Sequence, residues 1–225
     1  MALILINDDG VDAPGLAALQ KAVGGECLVV APQAHLSGCG HQVTTTQPIQ
    51  VERRSEKVFA IAGTPVDCTR IALTHLCPQV EWVLSGINAG GNLGVDAYIS
   101  GTVAAVREAA MHRIPGVAIS QYRKGKRPVD WQRAADWAAS VLSKLFTLPL
   151  EPSSFWNVNL PHLEPSDPDP EIVFCQPGTR PLPAQFRVEG DQFFYAGKYQ
   201  ERERDPGTDV AVCFSDRIAI TQIHL

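Results

Sequence analysis

The residues ALILIN (2–7) form a short, unbroken apolar run, and CLVVAP (27–32), VFAIAG, VEWVLSGIN and IPGVAIS (114–120) repeat the pattern. Continuous apolar runs of this length predict strands covered on both faces, as in a parallel sheet. Helical punctuation lies between them. Asp12 is placed to cap a first helix, with Pro14 in its first turn and Gly24–Gly25 as its stop. Thr64 with Pro65 predicts the start of a second helix. SGTVAAVREAAMHR predicts a helix beginning near Thr102, and Asp130 caps a helix over 131–146. Strands alternating with helices in this way predict an α/β fold built from β-α-β units around a mostly parallel sheet.

The pattern changes after Pro149. Prolines crowd LPLEPSS, NLPHLEPSDPDPE and QPGTRPLPAQ, and short alternating segments such as DQFFYAGKY and RIAITQIHL follow. These predict hairpin strands and loops projecting from the α/β body. Residues 1–150 are therefore read as the core. Residues 151–225 complete it and carry the projecting hairpin, within one domain overall.

Composition narrows the function. The chain has 225 residues and is 45% hydrophobic, enough for a full core, so disorder is excluded. A net charge of −5 argues against broad binding to nucleic-acid backbone, while leaving room for one nucleotide held at a single site. No apolar run approaches the roughly 20 residues that span a bilayer, and two acids arrive early where a signal peptide would be basic and apolar. These features predict a soluble cytoplasmic protein with no membrane partner. Six cysteines form no C-x-x-C pair and read as reduced thiols among apolar neighbours, apart from Cys39 in a Gly-flanked polar loop.

Ligands of open parallel sheets bind beyond the carboxyl ends of the strands. Three polar clusters fall there: NDDG after the first strand, HLSGCGH after the second, and SGINAGGNLG at the strand that holds Leu84. Asp8 and Asp9 are adjacent carboxylates whose repulsion a divalent cation would relieve. Mg²⁺ and Mn²⁺ take oxygen ligands, one or two carboxylates and substrate phosphate. A bland alternative is an Asp turn facing solvent. Asn88 and Asn92 offer amide groups to a metal or a phosphate, and Ser37 offers a hydroxyl. Ser100, Gly101 and Thr102 open a helix whose free N–H groups make an anion site. His35 and His41 lack the spacing of a helical zinc pair.

Taken in order, NDDGVDAPG, VVAP, the Ser-Gly of HLSGCGH, GTPVDC, SGINAGGNLG, YISGTVAAVREA and the later WNVNLP resemble the SurE family of metal-dependent nucleotidases. The resemblance implies a Rossmann-like three-layer core and hydrolysis of nucleoside 5′- and 3′-monophosphates. It implies one divalent cation per subunit, Mg²⁺ or Mn²⁺, held by Asp8, Asp9, Ser37 and Asn88. Asn92, Ser100, Gly101 and Thr102 then line the phosphate pocket, with Asp8 and Asp9 catalytic. It also implies a homodimer or homotetramer built through a C-terminal arm. The loop before Ser37 reads QAHL, where many members carry charge, and this departure bears on phosphate affinity. A catalytically weak nucleotide sensor on the same fold is the alternative. A phospho-aspartate phosphatase is disfavoured because its acids are spaced Asp-x-Asp, and a Rossmann dehydrogenase because no G-x-G-x-x-G follows the first strand.

Overall fold

Strand β1 (Leu3–Ile6) is buried throughout and runs between two parallel neighbours, β2 (Cys27–Pro32) and β5 (Trp82–Asn88). The computed structural model describes residues 1–225. Outward from β2 lie β4 (Val58–Ile61), in parallel, and then β3 (Val51–Arg53), antiparallel. Outward from β5 lie β6 (Gly116–Gln121) and β7 (Ser154–Leu160), both parallel. The sheet closes with β11 (Ile218–His224), antiparallel to β7, and β8 (Ile172–Phe174) at the edge. The resulting order is β3-β4-β2-β1-β5-β6-β7-β11-β8.

Helices cover both faces. On one face α1 (Pro14–Val23) and α4 (Trp131–Leu145) bury Leu16, Leu19, Trp137, Val141 and Leu145 against Leu3, Leu5, Leu84 and Val158. On the other, α2 (Pro65–Ile71) and α3 (Gly101–Met111) pack Val103, Val106 and Cys68 on Ile4, Ile6 and Phe155. Alternate residues of β1 thus feed the two cores, and its continuous apolar run has this as its cause. A short helix, α5 (Asp209–Phe214), precedes β11. The expected α/β architecture with a mostly parallel sheet and three layers is what forms. No helix is long and apolar enough to cross a membrane.

Two local expectations need correction. Asp12 does not cap α1: the N-cap is Ala13, with no side-chain cap, and Asp12 pairs instead with Arg54 at 2.7 Å. Pro14 at the helix start supplies the fixed φ that a cap would otherwise have to enforce. Residues 218–224, read as a hairpin strand, lie inside the main sheet, because Ile218, Ala219 and Ile220 are buried against β7 and β8. Residues 156–160 of WNVNLP close β7, every residue of which is buried. The projecting hairpin is confined to β9 (Phe186–Glu189) and β10 (Gln192–Tyr195), whose residues are all exposed. Thr64 and Asp130 cap α2 and α4 as expected, Thr64 within a reciprocal capping box with Asp67.

Candidate active site

The turn after β1 is braced from within. Asn7 is buried, donates Nδ2 to the Gly10 carbonyl at 2.8 Å and accepts the Gly10 N–H through Oδ1 at 3.2 Å. This double bond fixes the backbone on either side of Asp8 and Asp9. The two acids then meet different surroundings. Asp8 is 4% exposed and accepts a hydrogen bond from Thr102 Oγ1 at 2.5 Å. Asp9 accepts the Ala89 N–H at 3.1 Å and faces His35 Nδ1 at 3.2 Å. Burial pushes the Asp8 carboxyl above its ordinary 3.8 and the Asp9 charge adds to the rise, while the Thr102 hydroxyl pulls it down.

Gly101 explains how α3 comes so close. A Cβ at that position would lie 2.9 Å from Asp8 Cβ and 3.0 Å from Cys39 Sγ, so a glycine is required for the helix terminus to press on the acidic turn. The N–H groups of Gly101 and Thr102 lie in the first turn, where no intrahelical acceptor exists. Ser100 is the N-cap and accepts the Val103 N–H at 3.1 Å. A cation-attracting pair of carboxylates and an anion-attracting helix terminus therefore share one wall.

The second cluster arrives through β2. The Leu36 N–H donates to the Asp8 carbonyl at 2.8 Å, which lays the 36–39 segment over the end of β1 and carries exposed Ser37 with it. Cys39 is half-buried against Gly101, and burial pushes its thiol up. The third cluster comes from β5. Gly86 has φ 138° and its Cβ would stand 2.2 Å from the Ile119 carbonyl, so the β5–β6 pairing slips between Ser85 and Asn88. Asn88 emerges half-buried beyond this irregularity. Its Nδ2 is spent on the Gly90 carbonyl at 2.8 Å, which leaves its amide oxygen for another partner.

Asn92 does not face a ligand as expected. It is buried, and its Nδ2 donates to Ser120 Oγ at 2.8 Å. Its backbone is gripped as well: Asn159 accepts its N–H at 2.8 Å, and Asn157 and Asn159 both donate to its carbonyl. Its donors are consumed inside the fold, so it anchors the 89–94 loop instead of offering an N–H to phosphate.

Residues the sequence reading passed over hold the same loop from the other side. Arg202 and Asp96 form an ion pair at 2.7 Å with side chains 1% and 7% exposed. Tyr199 donates to Asp96 at 2.6 Å, and the Leu93 N–H reaches Asp96 at 3.2 Å. The Gly94 N–H donates to Asp209 at 2.7 Å. Tyr199, Arg202 and Asp209 lie over 100 residues from the loop they hold, and no local pattern signals such a pairing. Asn7 was nearer to view, since N-D-D-G is an Asx-turn sequence.

Four oxygen-bearing residues, Asp8, Asp9, Asn88 and Ser37, thus come from three neighbouring strand ends. No group of three His, Cys, Asp or Glu is arranged to hold a metal ion. A donor set of two carboxylates, an amide oxygen and a hydroxyl fits a hard divalent ion that keeps waters or substrate oxygens in its shell. The buried Asp8 beside a second carboxylate is the observation on which this fit rests.

Comparison with known proteins identifies the family. The family profile described as Survival protein SurE matches residues 3–182. A relative from Nostoc sp. is 64% identical over the full length of both chains. The protein named 5′-nucleotidase SurE of Rhizorhabdus wittichii is 42% identical, over 73% of this chain and 68% of its own. Among solved structures, the SurE protein of Aquifex aeolicus superposes with a TM-score of 0.88 at 27% identity, covering 100% of this chain and 93% of that one. The chain belongs to the SurE family.

Proposed function

We propose that this protein is a divalent-cation-dependent phosphomonoesterase that releases phosphate from nucleoside 5′- and 3′-monophosphates. Relatives that carry the name 5′-nucleotidase SurE support the reaction class. One observation carries the assignment to these residues: Thr102, at the open N-terminus of α3, hydrogen-bonds the buried Asp8. The groups suited to a cation and those suited to a phosphate are thereby a single construction.

Asp8, Asp9, Asn88 and Ser37 would hold one Mg²⁺ or Mn²⁺ ion. Bound there, such an ion supplies charge to polarise the phosphoryl group and lowers the pKa of water. The N–H groups of Gly101 and Thr102 orient the phosphate oxygens through the first turn of α3. Asp9, the less buried acid, is the group placed to take a proton from the attacking water, with His35 against it. Asn92, fixed by Asn157, Asn159 and Ser120, keeps the glycine-rich loop from collapsing into the site. We further read the hairpin as an assembly surface of a homodimer or homotetramer in the cytoplasm. The exposure of Phe186, Val188, Phe193, Phe194 and Tyr195 supports that reading.

The test is phosphate release from 5′-AMP and 3′-AMP by chelator-stripped protein, with Mg²⁺ or Mn²⁺ added back and Asp9→Asn alongside. Release restored by metal and lost in the variant supports the assignment. Nucleotide binding without release under any metal would support the sensor alternative and reject the enzyme.

A further inference from the structure

One strand away from Asn88, β6 ends at Gln121 and the chain continues Tyr122-Arg123-Lys124-Gly125-Lys126-Arg127. Arg123, Lys124 and Lys126 are exposed and form no ion pair. The neighbouring cations are otherwise engaged: Arg127 pairs with Glu164, and Arg133 with Asp169 and the Glu164 carbonyl. In a chain of net charge −5, three free cations on one loop at the carboxyl end of the sheet need an explanation.

The loop that bears them is firmly held. The Lys124 N–H donates to His162 Nδ1 at 2.8 Å, and His162 Nε2 reaches the Pro128 carbonyl at 3.1 Å. Only a neutral imidazole can accept at one nitrogen and donate from the other. Burial keeps His162 below its ordinary 6.5, and the charges of Arg127 and Arg123 push the same way. Gln121 Nε2 adds bonds to the Tyr122 and Pro161 carbonyls, at 2.9 and 2.8 Å.

Its place relative to the site follows from the sheet. Ser120 is in register with Asn88, and Tyr122 lies against Gly91. At a spacing of about 4.8 Å per strand, the root of the loop stands about 10 Å across the sheet from the end of β1. An arginine or lysine side chain spans most of that distance. On the opposite side of the site, Gln33–Leu36 offers only His35, which is already engaged with Asp9. Free positive charge for a second anion is therefore available on the β6 side and not from Gln33–Leu36.

Resting on the phosphomonoesterase reading above, we propose that Arg123, Lys124 and Lys126 form a second anion subsite. It selects nucleosides phosphorylated on two ribose carbons over nucleoside monophosphates. One phosphate lies at the acidic turn and is hydrolysed. Water adds to phosphorus, the ribose–oxygen bond to that phosphorus breaks, and the ribose hydroxyl leaves with a proton. The other phosphate is held by the loop and stays on the product.

The experiment compares kcat/KM for adenosine 3′,5′-bisphosphate and 5′-AMP, using wild type and the triple variant Arg123→Gln, Lys124→Gln, Lys126→Gln. Exposed charge pairs each contribute a factor of roughly two to five, so the bisphosphate should lead by about tenfold or more at low salt. That lead should collapse in the variant and on raising salt from about 0.05 to 0.5 M, while 5′-AMP turnover by the variant stays within about threefold. Equal turnover of the two substrates by wild type, or a preference that survives in the variant, would overturn the subsite. If wild type hydrolyses neither, the phosphomonoesterase reading has failed. Calorimetric titration with the two nucleotides then decides the subsite: loop-dependent tighter binding of the bisphosphate supports it, and equal binding overturns it.

Discussion

Replacing Thr102 with valine removes one hydroxyl and nothing else of consequence, because the residue is wholly buried and the side chains are nearly the same shape. The lost bond is the 2.5 Å contact to Asp8. A hydrogen bond to a charged group is worth about 1.5–3 kcal/mol, so losing it should push the Asp8 carboxyl further up. Asp8 already sits above 3.8 in the metal-free fold, chiefly from burial. For a carboxyl raised on folding, the relative stability is fully present below the unfolded value of 3.8 and is lost as pH rises through the folded value. Thr102→Val should therefore lose about 1.5–3 kcal/mol against wild type at neutral pH, and almost nothing near pH 3. Outer hydrogen-bond partners of metal ligands typically contribute 10–100-fold to affinity or activity, so half-saturating Mn²⁺ should move up by about that factor. Denaturant titrations of metal-free protein at several pH values, together with metal titrations of phosphate release, read both effects. Thr102→Ser, which keeps the hydroxyl, should behave nearly as wild type. Unchanged stability and unchanged metal dependence in the valine variant would refute the reasoning.

Gly101→Ala should place a methyl 2.9 Å from Asp8 Cβ and cost about 1–3 kcal/mol as overpacking, with activity lost beyond what the stability change explains; a melting curve and a turnover assay at saturating metal check both. Arg202→Met leaves Asp96 as a buried unpaired charge and should cost about 3–5 kcal/mol by urea denaturation, part of which Asp96→Asn in the same chain should restore. Burial alone would raise the Glu108 carboxyl, but hydrogen bonds from Arg70 and His41 outweigh it and hold the group below 4.5. Its contribution is present above the unfolded value and lost as pH falls through the folded one, so Glu108→Gln should be destabilised at pH 7 and approach wild type near pH 3 in thermal scans.

The strands that carry the site were legible because burial on both faces demands unbroken apolar runs, as in β1 and β2. Thr64, Asp130 and Ser100 announced helix starts through side chains that can bond a free N–H. Asp12 has the same chemistry but is drawn to Arg54, a partner 42 residues away that local pattern cannot reveal. The C-terminal strand was misread for a related reason: RIAITQIHL has the alternation of an exposed hairpin, and only its pairing with β7 makes it interior. At the site, the residue types were visible but their division of labour was not. Asn88 and Asn92 look alike in sequence. One leaves its amide oxygen free, while the other is consumed by Ser120, Asn157 and Asn159, brought in by β6 and β7. The clamp of Tyr199 and Arg202 on Asp96 rests wholly on chain-distant contact.

The central claim is that one divalent cation sits between Asp8 and Asp9 at the end of β1. Anomalous diffraction from a crystal soaked in Mn²⁺ tests it directly. The account predicts one strong peak bonded to both carboxylates, with Asn88 and Ser37 around it, and no peak in Asp9→Asn. A peak elsewhere, or no peak in a protein that still releases phosphate in a metal-dependent way, would contradict it.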